Sequence, residues 1–140
     1  MKYIFITGVN RGIGFFLTKE LLKRGHSIIG TYRKASDNNN LQKLKSAFPK
    51  TLNLTYLDVT AVEKDDLTRY LNSFKAIDIL INNAGILDGG NVSFEKLQID
   101  DLLRSIAVNT LGPMKITQLL LPKLSESANP RIFHMTSQMG

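Results

Sequence analysis

Apolar runs of five or six residues alternate along the chain with stretches in which apolar positions recur every three or four residues. The runs predict strands over Tyr3 to Thr7, Ser27 to Tyr32, Leu52 to Leu57, Ile77 to Asn82 and Arg131 to Met135. Several are continuously apolar, the pattern of strands covered on both faces. Between the first two, Ile13, Phe16, Leu17 and Leu21 share one helical stripe, and Gly25, after the basic pair Lys23 and Arg24, marks its end. The segment from Asp37 to Phe48 opens in an asparagine-rich loop and groups Leu41, Leu44 and Phe48 on a short helix closed by Pro49. Thr60-Ala61-Val62-Glu63 has the form of a capping box, and Leu67, Tyr70, Leu71 and Phe74 then follow at helical spacing.

Asp88-Gly89-Gly90-Asn91 reads as a loop, after which Ile99, Leu102, Leu103 and Ile106 form another stripe. Gly112-Pro113 is expected to interrupt that helix, and a further helical stretch to run to Leu121, with Pro122 and Pro130 bracketing its exit. No internal repeat or linker divides the pattern. Strand and helix alternating in this way predict one α/β domain over residues 1–140, a parallel sheet with helices on both faces, ending on its fifth strand.

Composition removes several chemistries. The chain has 140 residues and no cysteine, so disulfides, thiolate metal sites and cysteine nucleophiles are excluded, and two histidines are too few for a histidine-built metal centre. Hydrophobic residues at 43% and charged residues at 21% fit a folded, soluble chain. Met1 to Val9 lacks the length and flanks of a signal peptide, and no run approaches the roughly 20 apolar residues of a membrane span. A cytoplasmic protein without membrane contact is expected.

The net charge of +6 is uneven: residues 1–50 hold ten Lys or Arg against two acids, and residues 51–140 hold eight against ten. A basic half fits a solvated face, nucleic acid, an anionic membrane surface or a phosphate-rich ligand. The cations are scattered and no helix-turn-helix or RNA-binding signature accompanies them, so nucleic acid is not the expected partner. The motif inside the basic half favours phosphate.

The first strand runs into Thr7-Gly8-Val9-Asn10-Arg11-Gly12-Ile13-Gly14, which opens the first helix. Where a parallel strand turns into a helix, backbone N–H groups and the positive end of the helix dipole converge, and a pyrophosphate can sit there. Gly8 permits the tight turn, Gly12 the approach of phosphate and Gly14 the packing of helix on strand. A plain turn is the alternative. About 20 residues on, dinucleotide folds carry an acid for the ribose of NAD or an arginine for the 2′-phosphate of NADP. The second strand here ends Gly30-Thr31-Tyr32-Arg33-Lys34, and the loop adds Arg11. Two guanidiniums suit one phosphate, so NADP(H) is favoured over NAD(H), with Asp37 the group that could instead reach a ribose hydroxyl.

These residues together resemble the short-chain dehydrogenase/reductase family, most closely its C-factor and sniffer carbonyl-reductase-like branch. The likeness rests on TGVNRGIG at 7–14, LDVT at 57–60, INNAG at 81–85, VNTLGP at 108–113 and MTSQMG at 135–140. It implies a Rossmann-type doubly wound sheet of order 3-2-1-4-5, here without the strands that follow the fifth. It implies that Gly8, Gly12, Ile13 and Gly14 line the pyrophosphate, with Asn10 and Arg11 of the same loop and Arg33 also among the cofactor-binding residues. Asp58 would accept from the adenine amino group with Val59 beside it, whereas its local pattern alone favours a loop residue ahead of the capping box. Asn82, Asn83, Ala84 and Gly85 would hold the fourth strand and flank adenosine and ribose. Asn109 would help to position a proton-relay water and Ser137 would orient the substrate carbonyl. His26 and His134 are taken as structural.

The family's proton donor is a tyrosine with a lysine four residues later. The tyrosines here are Tyr3, Tyr32, Tyr56 and Tyr70, and four residues beyond them stand Thr7, Ser36, Thr60 and Phe74. A phenol near its ordinary pKa, about 10, is a poor proton-transfer group without a neighbouring cation. The expectation is an NADP(H)-dependent reductase of a small ketone or aldehyde, of which these residues carry the amino-terminal portion and bind cofactor without turnover. The alternative is a non-catalytic dinucleotide-binding or signalling protein. In either case the long helix or the exposed edge strand is where a second copy would pair.

Overall fold

Consecutive apolar residues on a strand point to opposite sides of a sheet, so an unbroken run is stable only with a helix layer on each side. The computed structural model, which describes residues 1–34, 38–62, 64–88 and 92–136, has that construction. Strands β1 (Tyr3–Thr7), β2 (Ser27–Tyr32), β3 (Leu52–Tyr56), β4 (Ile79–Asn82) and β5 (Arg131–His134) form one parallel sheet of order β3-β2-β1-β4-β5. This is the doubly wound order 3-2-1-4-5. Helices α1 (Gly12–Lys23) and α2 (Asn39–Ala47) cover one side, where Leu22, Leu41 and Leu44 pack on Ile4, Ile6, Ile28 and Leu52. On the other side Leu67 and Leu71 of α3 (Lys64–Leu71) join Ile116, Leu120 and Leu124 of α5 (Gly112–Ser125) against Phe5, Ile29 and Leu80. Neighbours Ile4 and Phe5, or Ile28 and Ile29, therefore serve different cores.

Three expected details are corrected. On α1 the buried line is Gly14, Thr18 and Leu22, while Ile13 and Phe16 are exposed. The helix lies so close to the end of β1 that only a glycine fits at position 14, and it is Ile13 and Phe16 that face outward, while Phe15 and Leu21 pack against the core. Gly112-Pro113 does not break the long helix: α4 (Ile99–Ile106) continues through a π turn over Ala107–Leu111 into α5, and Gly112 is helical. Pro113 has no N–H for the carbonyl four residues back, that of Asn109, and the wider turn just ahead accommodates the missing bond. Pro122 lies inside α5, which runs to Ser125 instead of closing at Leu121.

Three strand ends shift by one or two residues. β3 stops at Tyr56, β5 at His134, and β4 starts at Ile79 because the Ile77 N–H goes to the Lys123 carbonyl on the helix (3.0 Å) and not to a strand. The Gly25 stop is present, with φ +79° and N–H bonds from Gly25 and His26 back to Leu22 and Leu21. Glu63 of the capping box and Asp37 lie outside the described residues, as does most of the loop at 88–91. The α4 stripe forms, but Ile99 and Leu103 are 64% and 57% exposed, so the described residues do not cover it. Among the described residues no helix is long and apolar enough to cross a membrane.

Candidate functional site

The chain leaves β1 for β2 and β3 on one side and returns to place β4 on the other. At such a reversal the connections diverge and a crevice opens beyond the carboxyl ends of the strands. A cavity of about 810 Å³ occupies it here. Gly8, Asn10, Arg11, Gly12, Ile13, Gly14, Arg33, Asp58, Val59, Asn83, Ala84 and Gly85 all line this one cavity.

Its floor is the β1–α1 loop. Gly8 has φ +73°, and the N–H groups of Gly8 and Val9 both donate to the Thr31 carbonyl at 2.9 and 3.0 Å, which fixes the turn on β2. Gly12 has φ +55°, and a Cβ there would meet nothing within 4 Å; the backbone lies open to the cavity. A Cβ on Gly14 would sit 2.1 Å from the Gly8 carbonyl oxygen. Arg11 is the N-cap of α1 and makes no side-chain cap bond, so the first-turn N–H groups of α1 receive no cap from its own side chain.

The wall on the β4 side is stapled to this floor. Thr7, 1% exposed, accepts at Oγ1 from the N–H groups of both Asn83 (3.0 Å) and Ala84 (2.9 Å). Asn83 Nδ2 donates back to the carbonyls of Thr7 and Gly8 at 2.9 and 3.0 Å. Farther along the wall, Asn109 Nδ2 donates to the Ile86 carbonyl (2.8 Å) and its Oδ1 accepts from the Ile86 N–H (3.0 Å). Both ends of that amide thus clamp backbone, which answers why an asparagine is tolerated within a helix. Asp88 accepts from Arg104 Nε at 2.6 Å.

On the opposite wall Arg33 follows β2 with no acid at the strand tip. Tyr32 packs on Tyr56 with ring centroids 4.8 Å apart, and Lys34 Nζ lies 5.5 Å from the Tyr56 ring. Asp58 Oδ1 accepts from the Thr60 hydroxyl (2.7 Å) and the Thr60 N–H (2.9 Å). Those bonds, with the nearby Arg33 charge, hold the carboxyl below its ordinary range.

Asn109 touches the wall but does not line the cavity, and Ser137 lies outside the described residues. Sequence reasoning missed Thr7, Arg104 and Lys115, whose contacts run to backbone or to side chains 16 to 77 positions away. Thr7 had the best signal, a hydroxyl on the last residue of a strand that runs straight into a glycine. His134 lies 3.3 Å from Asn82 Nδ2, within the sheet layer and away from the cavity lining.

Comparison with known proteins gives a consistent picture. A family profile described as short chain dehydrogenase matches residues 2–140. A short-chain dehydrogenase of Pyricularia oryzae, RED3, is 32% identical over 98% of this chain and 57% of its own length. The NADP-dependent 3-hydroxy acid dehydrogenase YdfG of Escherichia coli is 30% identical over 98% of this chain and 54% of its own. A solved short-chain dehydrogenase/reductase of Burkholderia multivorans with bound NADP superposes with a TM-score of 0.78 at 30% identity, covering 86% of this chain and 53% of that one. The chain spans about half the length of the relatives it matches.

Proposed function

Because the chain belongs to the short-chain dehydrogenase family, we propose that it carries the cofactor-binding part of an NADP(H)-dependent oxidoreductase that reduces a small ketone or aldehyde. The observation that carries this reading is the meeting, in one cavity, of an open glycine loop at a helix N-terminus with Arg33 at an acid-free strand tip. The finer assignment to the C-factor and sniffer-like carbonyl reductases rests on the same motifs.

The residues fit the cofactor on their own chemistry. The Gly12 backbone and the first turn of α1 present N–H donors to a pyrophosphate, and Arg11 adds charge beside them. Arg33 offers a planar, permanently charged fork suited to a 2′-phosphate. Asp58, kept ionised by Thr60, is an acceptor for an adenine amino group, and Val59 supplies an apolar edge. Asn109 fixes the Ile86 backbone and with it the β4 wall. Ser137, by resemblance, hydrogen-bonds the substrate carbonyl and aligns it. When bound, the nicotinamide supplies a hydride for the carbonyl carbon, while a proton must reach the oxygen.

Residues 1–140 contain no tyrosine followed by lysine four positions on. NADPH oxidation by this chain in the presence of simple ketones and aldehydes is therefore expected to stay at the no-protein rate; a clear excess contradicts the need for that pair.

Cofactor choice is tested by Arg33→Asp. The substitution removes the guanidinium and sets a carboxylate against the phosphate, so NADPH affinity should fall at least about tenfold, roughly 1.4 kcal/mol, with NADH affinity little changed. Equal losses for both cofactors in a binding titration would refute the assignment of Arg33.

A further inference from the structure

One helix fastens both walls of the cavity. From α4 into the π turn, Arg104 holds Asp88 and Asn109 holds the Ile86 backbone, both on the β4 side. From α5 the same helix reaches the loop after β3. A Cβ on Gly112 would lie 2.7 Å from Val59 Cγ2, so its absence lets Val59 seat against the helix, and one turn later Lys115 Nζ donates to the Thr60 carbonyl at 3.1 Å. Thr60 in turn holds the Asp58 carboxylate through its N–H and hydroxyl. The chain of contacts runs from the Lys115 ammonium to the Thr60 peptide and on to a carboxylate at the cavity wall.

Resting on the reading that this cavity takes a dinucleotide, we propose that Lys115 is a positioning residue for cofactor binding, which fixes the β3 loop through the Thr60 carbonyl and so orients Asp58. Lys115 does not line the cavity and is exposed. Its effect is local because, among the described residues, the other polar bonds of this loop are internal to it or run to the strand ends: Ala61 N–H to the Asp58 carbonyl, and Leu57 N–H to the Tyr32 carbonyl. Without the ammonium the Thr60 carbonyl turns to water, the loop samples other conformations, and part of the binding energy goes into ordering it again.

The test is Lys115→Met in the full 140-residue chain, titrated with NADPH and with 2′,5′-ADP, which carries only the adenosine side. Affinity for both should fall about fivefold, the order of one exposed hydrogen bond. Lys115→Arg, which keeps a charged donor, should restore it. Amide exchange should speed up at residues 58–60, while exchange in β1 and β2 stays unchanged. A general loss of structure would raise exchange throughout and would not be rescued by arginine, which overturns the positioning role. A wild-type chain that binds NADPH and a Lys115→Met chain that binds it within twofold overturn the proposal and leave the parent reading standing. A folded wild-type chain that binds neither ligand overturns both.

Discussion

Gly14→Ala should weaken NADPH binding at least about a hundredfold and lower the melting temperature by about 10 °C. The added methyl would lie 2.1 Å from the Gly8 carbonyl oxygen and 2.4 Å from Asn83 Nδ2. Neither neighbour can yield cheaply. Gly8 is held by its N–H bond to Thr31 and by its own φ of +73°, and Asn83 Nδ2 is committed to two backbone carbonyls. Relief requires moving the first turn of α1 off the end of β1, which withdraws the helix N-terminus from the cavity. Overpacking of this severity costs about 3 kcal/mol, the top of the usual range, and for a chain of this size that corresponds to about 10 °C. NADPH affinity should fall at least about a hundredfold, near 2.7 kcal/mol. A Gly14→Ala chain that melts within two or three degrees of wild type and binds NADPH normally would show that helix and strand are not in this contact.

Thr7→Val should cost about 2–4 kcal/mol, and Thr7→Ser much less. Valine keeps the volume and the branched Cβ that suit a strand, so what it removes is the hydroxyl. That oxygen receives two N–H groups, from Asn83 and Ala84, at a side chain 1% exposed. Each donor left without a partner costs about 1–3 kcal/mol. Because the same bonds join the β1 and β4 walls, NADPH affinity should drop along with stability. Thermal melts of the two variants decide the matter: equal losses for valine and serine would mean that packing, not the hydroxyl, is what Thr7 contributes.

How legible this was from sequence depends on how far each signal reaches along the chain. The β1 and β2 boundaries and the glycine loop rest on local patterns, apolar runs, glycine spacing and a strand-to-helix turn, whereas the sheet order follows from the family resemblance. The α1 stripe holds only at its far end, where Leu21 packs against the core; Ile13 and Phe16 look like core residues but are exposed, because the line that packs on the sheet is set by the space at Gly14. Gly112-Pro113 suggested a helix break, yet the structure places a π turn just ahead of it, and Gly112 is needed for contact with Val59, 53 positions earlier. Thr7, Arg104 and Lys115 hold the cavity together through partners distant in sequence, and no local pattern announces such pairs. Twelve of the residues that line the cavity were legible, those of the glycine loop and Arg33 from local spacing, and Asp58, Val59, Asn83, Ala84 and Gly85 from the family motifs.

The measurement that bears most directly on the account is a titration of the purified, folded chain of 140 residues with NADPH and NADH, followed by the quenching or enhancement of nicotinamide fluorescence. Saturable one-to-one binding of NADPH, at least about tenfold tighter than NADH, is the predicted result. No binding of either cofactor by a chain whose circular dichroism shows the α/β fold would contradict it.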